Sequence, residues 1–297
     1  PQLTGSFWLD EAAQALESDR PWSQQLQLTA DFQPPLLHLI TAVAIRVGRS
    51  EWWLRTIGAL IPGLVTIAGT YFIGAKLKNK VVGIYSALFL ATSSFHIFYS
   101  QELRPYALPA MWAVLSWLFL LKASDDKKWS RHWWLFTISS LLGFYSSYLY
   151  PFLWLSQLVW FVWQHRKKWL SLATSVVITV AGFAPWLPSF FKQLAAGTAV
   201  KTNLPGWAEV VSLPQWQALP LVLGKFLYGV IDLKIDPVFA LITGSVAFLI
   251  GLIIYQNRAH FSQQIFQKEL SLLMIWFFLP LVASWLISFI VPVVRPK

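Results

Sequence analysis

Two adjacent acids near the amino terminus, Asp10 and Glu11, are the first residues whose types suit chemistry. They follow the aromatic pair Phe7 and Trp8 and begin a stretch with helical spacing. One interpretation is structural, because an Asp at a helix N-cap accepts orphan backbone N–H groups and a Glu in the first turn suits the helix dipole. The other is catalytic, because an exposed carboxylate can take a proton from an attacking hydroxyl or amine. Both interpretations hold together, since a cap and a base need the same exposed carboxylate.

A second group of polar residues lies in a tight turn between two apolar stretches. Gln101, Glu102 and Arg104 crowd together there, and Tyr106 follows. The structural interpretation is an interfacial anchor with a local Glu102–Arg104 pair, which contributes little at a wet surface. The functional interpretation is a phosphate clamp, because a guanidinium presents a fork that matches phosphate oxygens.

Two weaker signals lie elsewhere in the chain. Pro34 and Pro35 suit the start of a helix, and His38 falls on its apolar run, where a packed structural histidine is expected rather than a ligand. Arg295 and Lys297 follow the last apolar stretch, as a snorkelling anchor or as a second phosphate-binding group.

The composition is that of a membrane protein. Hydrophobic residues make up 56% of the 297 residues and charged residues 12%, which excludes a disordered chain and disfavours a soluble enzyme. There is no cysteine and there are only five histidines, so nothing demands a metal site or another cofactor. The chain has no P-loop, dinucleotide fingerprint, H-E-x-x-H or G-x-S-x-G motif, and its thin basic loops do not favour nucleic-acid binding.

Apolar stretches near the length of a bilayer-crossing helix predict an all-α, polytopic membrane protein. Two shorter apolar runs, 34–47 and 219–231, are predicted to be interfacial or re-entrant helices. We expect one transmembrane domain over 1–297, with outer segments 1–51 and 192–236, central spans in 52–191 and final spans in 237–297. The predicted spans are Trp53–Gly74, Val81–Tyr99, Tyr106–Leu121, Trp133–Tyr150, Pro151–Trp163, Trp169–Phe191, Pro237–Tyr255 and Leu270–Val291.

Charge placement predicts which side of the membrane each loop faces. Four short loops, 76–80, 122–131, 166–168 and 256–269, hold 12 of the 23 Lys and Arg residues and are therefore predicted to be cytoplasmic. Ten of the 13 acids lie on the opposite, outer side, nine of them in its long Trp-rich segments and Glu102 in the short turn. We expect the chain to be part of a longer protein with an earlier span. This expectation rests on the sidedness, on a first residue other than Met and on an end that directly follows an apolar stretch.

Four strings occur together in order and spacing: FWLDEAAQALES, FQPPLLHL, SEWWLRTIGAL and SSFHIFYSQELRPYAL. They resemble bacterial members of glycosyltransferase family 39, which has the GT-C fold and includes relatives of the protein O-mannosyltransferases and the lipid A aminoarabinose transferases. The resemblance is strong over about residues 6–122. It implies a GT-C-like transmembrane helix bundle with outer-face juxtamembrane helices.

The resemblance also implies roles for individual residues. The family's acid pair after the first span contains the catalytic base, which matches Asp10 with Glu11 beside it. The turn resembles the family's second acidic loop, here Glu102, with Arg104 and Tyr106.

Further contacts with the donor phosphate or the sugar are implied at three more positions. Gln101 belongs to the same S-Q-E-x-R-P-Y turn, and Lys297 matches a basic residue that faces the lipid phosphate. The sequence departs from the family at Gln33, where relatives often carry His or Lys before Pro-Pro.

The expected activity is transfer of a hexose or pentose from a polyprenyl-phosphate carrier to a lipid, glycan or protein acceptor. The transfer would invert the configuration of the anomeric carbon and take place on the outer face of the cell membrane. The expected partners include membrane lipid and exclude nucleic acid. Asp10 would deprotonate the acceptor, while Arg104 and Lys297 stabilise the leaving phosphate.

Two other classes of function make different predictions. A transporter or lipid flippase predicts ionisable residues within the spans and repeat symmetry, whereas these spans hold almost no acids and no repeat is visible. A non-catalytic scaffold predicts that the exchange of Asp10 for Asn is silent.

Overall fold

The structure is a computed structural model that describes residues 5–27, 32–126, 128–203, 244–245, 256 and 268–287. Within these ranges the side chains are described except at 197–203 and 268. Within these ranges the chain is helical and contains no strand. It divides into two compact units, Pro1–Pro205 and Gly206–Lys297, and each is considered by itself. The predicted all-α membrane bundle is confirmed, while the single domain over 1–297 stays a prediction.

Helices of the first unit range from short surface pieces to long apolar rods. In chain order they are α1 Leu9–Ser18, α2 Leu36–Val47, α3 Glu51–Arg55, a π-helical turn Thr56–Leu60, α4 Ile61–Leu77, α5 Lys80–Ala91, α6 Ser94–Tyr99, α7 Ala107–Ala123, α8 Arg131–Phe144, α9 Tyr150–Gln164, α10 Trp169–Phe183 and α11 Leu187–Asn203. The second unit contains α12, Lys268–Ile287, with Pro280 inside it.

Among the described residues, three continuous helices are long and apolar enough to cross a membrane: Glu51–Leu77, Arg166–Ala196 and Glu269–Ile287. They coincide with three predicted spans. The prediction of one span over Val81–Tyr99 is wrong, because the chain breaks between α5 and α6, where the Ser93 hydroxyl accepts the His96 backbone N–H at 3.4 Å. The remaining predicted spans within 106–163 form helices of 17 residues or fewer. The predicted helices in 219–231 and 237–255 lie outside the described residues, apart from 244–245.

The apolar helices of the first unit pack side by side, α4 against α5 and α7, α7 against α8, and α8 against α10. Aromatic rings fill the interior, with Trp117 and Trp160 at 5.6 Å between ring centroids. Buried hydroxyls also join helices, since Tyr150 donates to Ser116 at 2.8 Å. Such polar contacts between apolar helices are typical of membrane bundles.

One close approach of backbones supports the turn at 100–106. A Cβ added at Gly63 of α4 would lie 2.7 Å from the Ser100 Cβ, so only glycine leaves room for this contact. The long helix Glu51–Leu77 therefore packs directly against the start of the polar turn.

Candidate functional site

A buried ion pair joins α1 to the long helix Glu51–Leu77. The Arg55 guanidinium donates to both carboxylate oxygens of Glu11, from Nε to Oε1 at 2.9 Å and from Nη2 to Oε2 at 2.6 Å. Glu11 is completely buried and Arg55 is 1% exposed. Arg55 also donates to the backbone oxygens of Gly5 and Ser6. Because the pair is bidentate and further hydrogen-bonded, it meets the conditions under which a buried charge pair is tolerated.

The Glu11 carboxylate connects three segments of the chain. Its Oε1 accepts the backbone N–H of Leu103 at 2.8 Å, and its Oε2 accepts that of Trp8 at 3.4 Å. Glu11 thus reaches back to the residue before α1, as the acid of a capping box does. The helix begins at Leu9 with Trp8 as its N-cap, so the interpretation of Asp10 as the N-cap is wrong.

Asp10 lies beside Glu11 in the first turn of α1 but in a different environment. It is partly buried, while Glu11 is fully enclosed. Arg104 is also partly buried, and its Nη1 lies 3.5 Å from the backbone oxygen of Asp10. The structure therefore brings the acid pair and the polar turn together, although they are about ninety residues apart in sequence.

The turn itself is held by two short backbone hydrogen bonds. The Arg104 N–H donates to the Glu102 oxygen and the Tyr106 N–H donates to the Arg104 oxygen, each at 2.7 Å. Tyr106 is 42% exposed, and its ring meets Tyr99 edge-on at 4.6 Å between centroids. The Nε of Arg104 is buried and has no hydrogen-bond partner in the described part of the chain. An anion that accepts a hydrogen bond from this guanidinium would satisfy the Nε–H.

Glu102 is the third carboxylate of this group and is 5% exposed. Its burial raises the pKa of the Glu102 carboxyl to about 7, with a further contribution from the neighbouring Glu11 charge. The protonated form is therefore favoured in the folded protein relative to the unfolded chain.

This shift predicts that stability falls with rising pH because Glu102 ionises. The folded-state pKa lies above the unfolded value of 4.5, so the contribution is full below about pH 4.5 and is lost as pH rises through about 7. The loss is roughly 3 kcal/mol at most. Thermal unfolding of wild type and Glu102→Gln in detergent between pH 4.5 and pH 8 checks this. The two stability curves should diverge with rising pH, and parallel curves would contradict the prediction.

The structure also describes Gln33 and Gln101, two further residues that the sequence predicts as parts of the site. Gln33 is buried in a separate polar cluster, where it contacts Gln14 and His38. Gln101 lies in the turn and is partly buried, and its backbone N–H donates a hydrogen bond to the Phe98 backbone oxygen. Lys297 lies outside the described residues.

The sequence motifs do not predict Arg55, or the buried residues Gln14 and Ser18 of α1, as parts of the site. Two signals were present: Arg55 is a cation inside an otherwise apolar stretch, which calls for a buried partner. Glu11, Gln14 and Ser18 have the spacing of one helix face. All three are buried, and the exposed side of the helix carries Leu9 and Leu16.

A metal site is not indicated by side-chain clustering. Within the described ranges, no group of three or more His, Asp or Glu residues could hold a metal ion. The expectation that the sequence demands no metal stays a prediction.

The sequence matches a known protein family. The sequence model described as dolichyl-phosphate-mannose-protein mannosyltransferase matches residues 32–189, which is more than half of the 297 residues. The match includes Gln33, Arg55 and the 100–106 turn but not α1. Comparison with curated proteins and with solved structures gave no match.

Proposed function

Because this chain belongs to the dolichyl-phosphate-mannose-protein mannosyltransferase family, it is a membrane glycosyltransferase with a lipid-linked sugar donor, and we propose that Asp10 is its general base. The proposed reaction is a displacement that inverts the configuration of the anomeric carbon. It takes place on the outer face of the membrane, which the protein crosses several times. The donor is a sugar on polyprenyl phosphate, and the acceptor is a hydroxyl or amine of a lipid, glycan or protein.

The observation that carries this proposal is the contact between α1 and the polar turn. The Arg104 Nη1 lies 3.5 Å from the Asp10 backbone oxygen, so the residue that carries the proposed base and the residue that carries the proposed phosphate-binding cation are neighbours. In the proposed step, Asp10 takes the proton of the acceptor and the acceptor atom bonds to the anomeric carbon. The bond from that carbon to the phosphate oxygen breaks, and Arg104 stabilises the charge left on the phosphate.

Asp10 suits the role of base better than either neighbouring carboxylate. Glu11 accepts hydrogen bonds from Arg55, Leu103 and Trp8 and is shielded from any acceptor. Glu102 is almost completely buried. We therefore assign Glu11 a supporting role, in place of the direct role expected from the sequence.

The outer-face location rests on charge placement and on the surface of α1. Lys and Arg are concentrated in the predicted cytoplasmic loops, while Asp10, Glu11 and Glu102 belong to the predicted outer side. Leu9 is 81% exposed and Leu16 is 74% exposed, as suits a helix that lies on a membrane surface.

The proposal is tested with membranes that contain the intact protein. Polyprenyl phosphates labelled in the sugar, one carrying mannose and one carrying aminoarabinose, are supplied, and loss of label from the carrier is followed with the anomeric configuration of the product. Enzyme-dependent transfer with inversion supports the proposal. A folded protein that transfers neither sugar, or one that retains configuration, contradicts it.

Replacement of Arg104 by Ala is expected to reduce kcat/KM for the donor about 10²–10³-fold, because one preorganised charge on the leaving group is lost. Arg104→Lys should recover part of the rate, since it keeps the charge but not the fork. Initial rates across donor concentrations measure the effect. Arg49→Ala is the matched control, because Arg49 pairs with Asp19 at the exposed surface. Equal rates for Arg104→Ala and wild type would remove Arg104 from the mechanism.

A further inference from the structure

A second buried polar cluster lies at the carboxyl-terminal half of α1. The His38 ring is completely buried, with Nδ1 at 3.0 Å from the Gln14 amide nitrogen and 3.2 Å from the Ser18 hydroxyl. Its Nε2 lies 2.8 Å from the amide nitrogen of Gln33, which also donates to the Gln14 oxygen. The cluster therefore joins α1, the segment before α2 and α2 itself.

The cluster continues beyond these segments to α11. The Gln193 amide donates to the Gln33 backbone oxygen at 3.3 Å, and the Tyr148 hydroxyl donates to the Gln193 side-chain oxygen. Trp186 in turn donates to the Tyr148 hydroxyl at 2.9 Å. Gln33 is thus held from two sides by helices of the first unit.

Helix α1 consequently has two polar attachments on one face. Glu11 is fixed by Arg55 near the first turn, and Gln14 and Ser18 are fixed by His38 about one and two turns later. Hydrogen bonds are directional, so two attachments along one face determine the rotation of the helix about its axis. The described apolar contacts of α1 are few. Leu9 and Leu16 face outward, and Ala15 packs against the hydrophobic cluster that includes Leu37, Leu54 and Leu103.

Gln14 is also the residue one helical turn after Asp10. Residues four apart are neighbours on a helix surface, so a rotation that releases Gln14 moves Asp10 as well. His38 cannot meet a substrate itself, because its ring has no exposed surface and polar side chains lie against both of its nitrogens, Ser18 at Nδ1 and Gln33 at Nε2.

We propose that His38 is a positioning residue for sugar transfer: it holds Gln14, fixes the rotation of α1 and so directs the Asp10 carboxylate toward the acceptor. This inference rests on the proposed function of Asp10. Gln33, which the sequence resemblance associates with the donor phosphate, takes part here in the support of α1.

Three substitutions separate this role from simple packing. His38→Phe removes both polar ends of the ring, His38→Asn keeps an amide near the position of Nδ1 on the Gln14 side, and His38→Gln reaches the position of Nε2 on the Gln33 side. The matched control is Thr41→Val, because Thr41 is 1% exposed on the same helix and its hydroxyl has no hydrogen-bond partner in the described part of the chain.

The expected result is a fall in kcat of about 10–100-fold for His38→Phe with the donor KM unchanged, since a misplacement near 1 Å has effects of this size. His38→Asn should retain more kcat than His38→Gln, because the contact to Gln14 is the one that acts on Asp10. Adding Gln14→Ala to His38→Phe should cause little further loss, since both act through one contact. Thr41→Val should match wild type.

Thermal unfolding in detergent is measured for every variant, so that a variant that fails to fold is recognised. If His38→Phe does not fold, the comparison of His38→Asn with His38→Gln tests the inference. Wild-type transfer with equal kcat in these two variants and Thr41→Val would overturn the inference and leave the proposed function intact. Absence of transfer by wild type would overturn the proposed function, and the positioning role with it.

Discussion

Replacement of Asp10 by Asn is expected to reduce sugar transfer about 10²–10⁴-fold, the usual contribution of a general base. Asn fills the same volume and keeps a polar group in the first turn of α1, but it cannot accept the acceptor's proton at neutral pH. The donor should still bind, because the substitution leaves Arg104 in place. We therefore expect a loss in kcat with little change in the donor KM, measured by release of labelled sugar from the carrier.

Asp19→Asn is the matched control for this experiment. Asp19 is the C-cap of the same helix and pairs with Arg49 at the exposed surface, so its neutralisation changes the charge of α1 without touching the Asp10–Arg104 group. Equal activity of Asp10→Asn and Asp19→Asn would remove Asp10 from the mechanism and leave the transferase class unaffected.

Replacement of Arg55 by Leu is expected to destabilise the protein by about 3–5 kcal/mol, because it leaves the Glu11 carboxylate buried without its counter-charge. Arg55 is 1% exposed and Glu11 is completely buried, so water cannot replace the lost partner without opening the packing. Activity should fall as well, since α1 loses its attachment to the long helix. Thermal unfolding in detergent and the transfer assay measure the two effects separately.

The double variant Glu11→Leu with Arg55→Leu distinguishes the buried charge from the lost contact. Removal of both charges should restore part of the stability, because apolar pairs of similar volume often match a buried ion pair. It should not restore sugar transfer, because the Leu103 N–H then loses its acceptor on Glu11 and α1 loses this attachment to the polar turn. A single Arg55→Leu variant as stable as wild type would contradict the importance of this pair.

Much of the fold and the outline of the site could be predicted from the sequence. The helical class, the membrane character and the family are confirmed. Asp10 and Arg104 lie next to each other in the structure, and their roles stay predictions. The short α2 also agrees with an apolar run below spanning length. These features depend on composition and on motifs, which sequence records directly.

The remaining details depend on which side of a helix faces the protein. Asp10 and Glu11 are chemically similar neighbours, yet a rotation of about 100° per residue encloses one and leaves the other partly accessible. The partner that encloses Glu11 is 44 residues away, and no local pattern specifies it. The break before α6 is not predicted by hydropathy, because the average over a window hides the two polar residues Ser93 and Ser94. A serine is nevertheless a good N-cap, and Ser93 caps α6 in the structure.

The wide sequence separation of the Glu11 contacts has a consequence for biosynthesis. Glu11 pairs with a residue 44 positions later and accepts a hydrogen bond from one 92 positions later. At a translation rate of about 5–20 residues per second, Leu103 leaves the ribosome roughly 5–18 s after Glu11. During that interval the Glu11 carboxylate lacks its final hydrogen-bond partners. The contact between α1 and the 100–106 turn is therefore completed late in assembly, and mutations that slow the arrival of this turn should expose an immature intermediate to quality-control proteases.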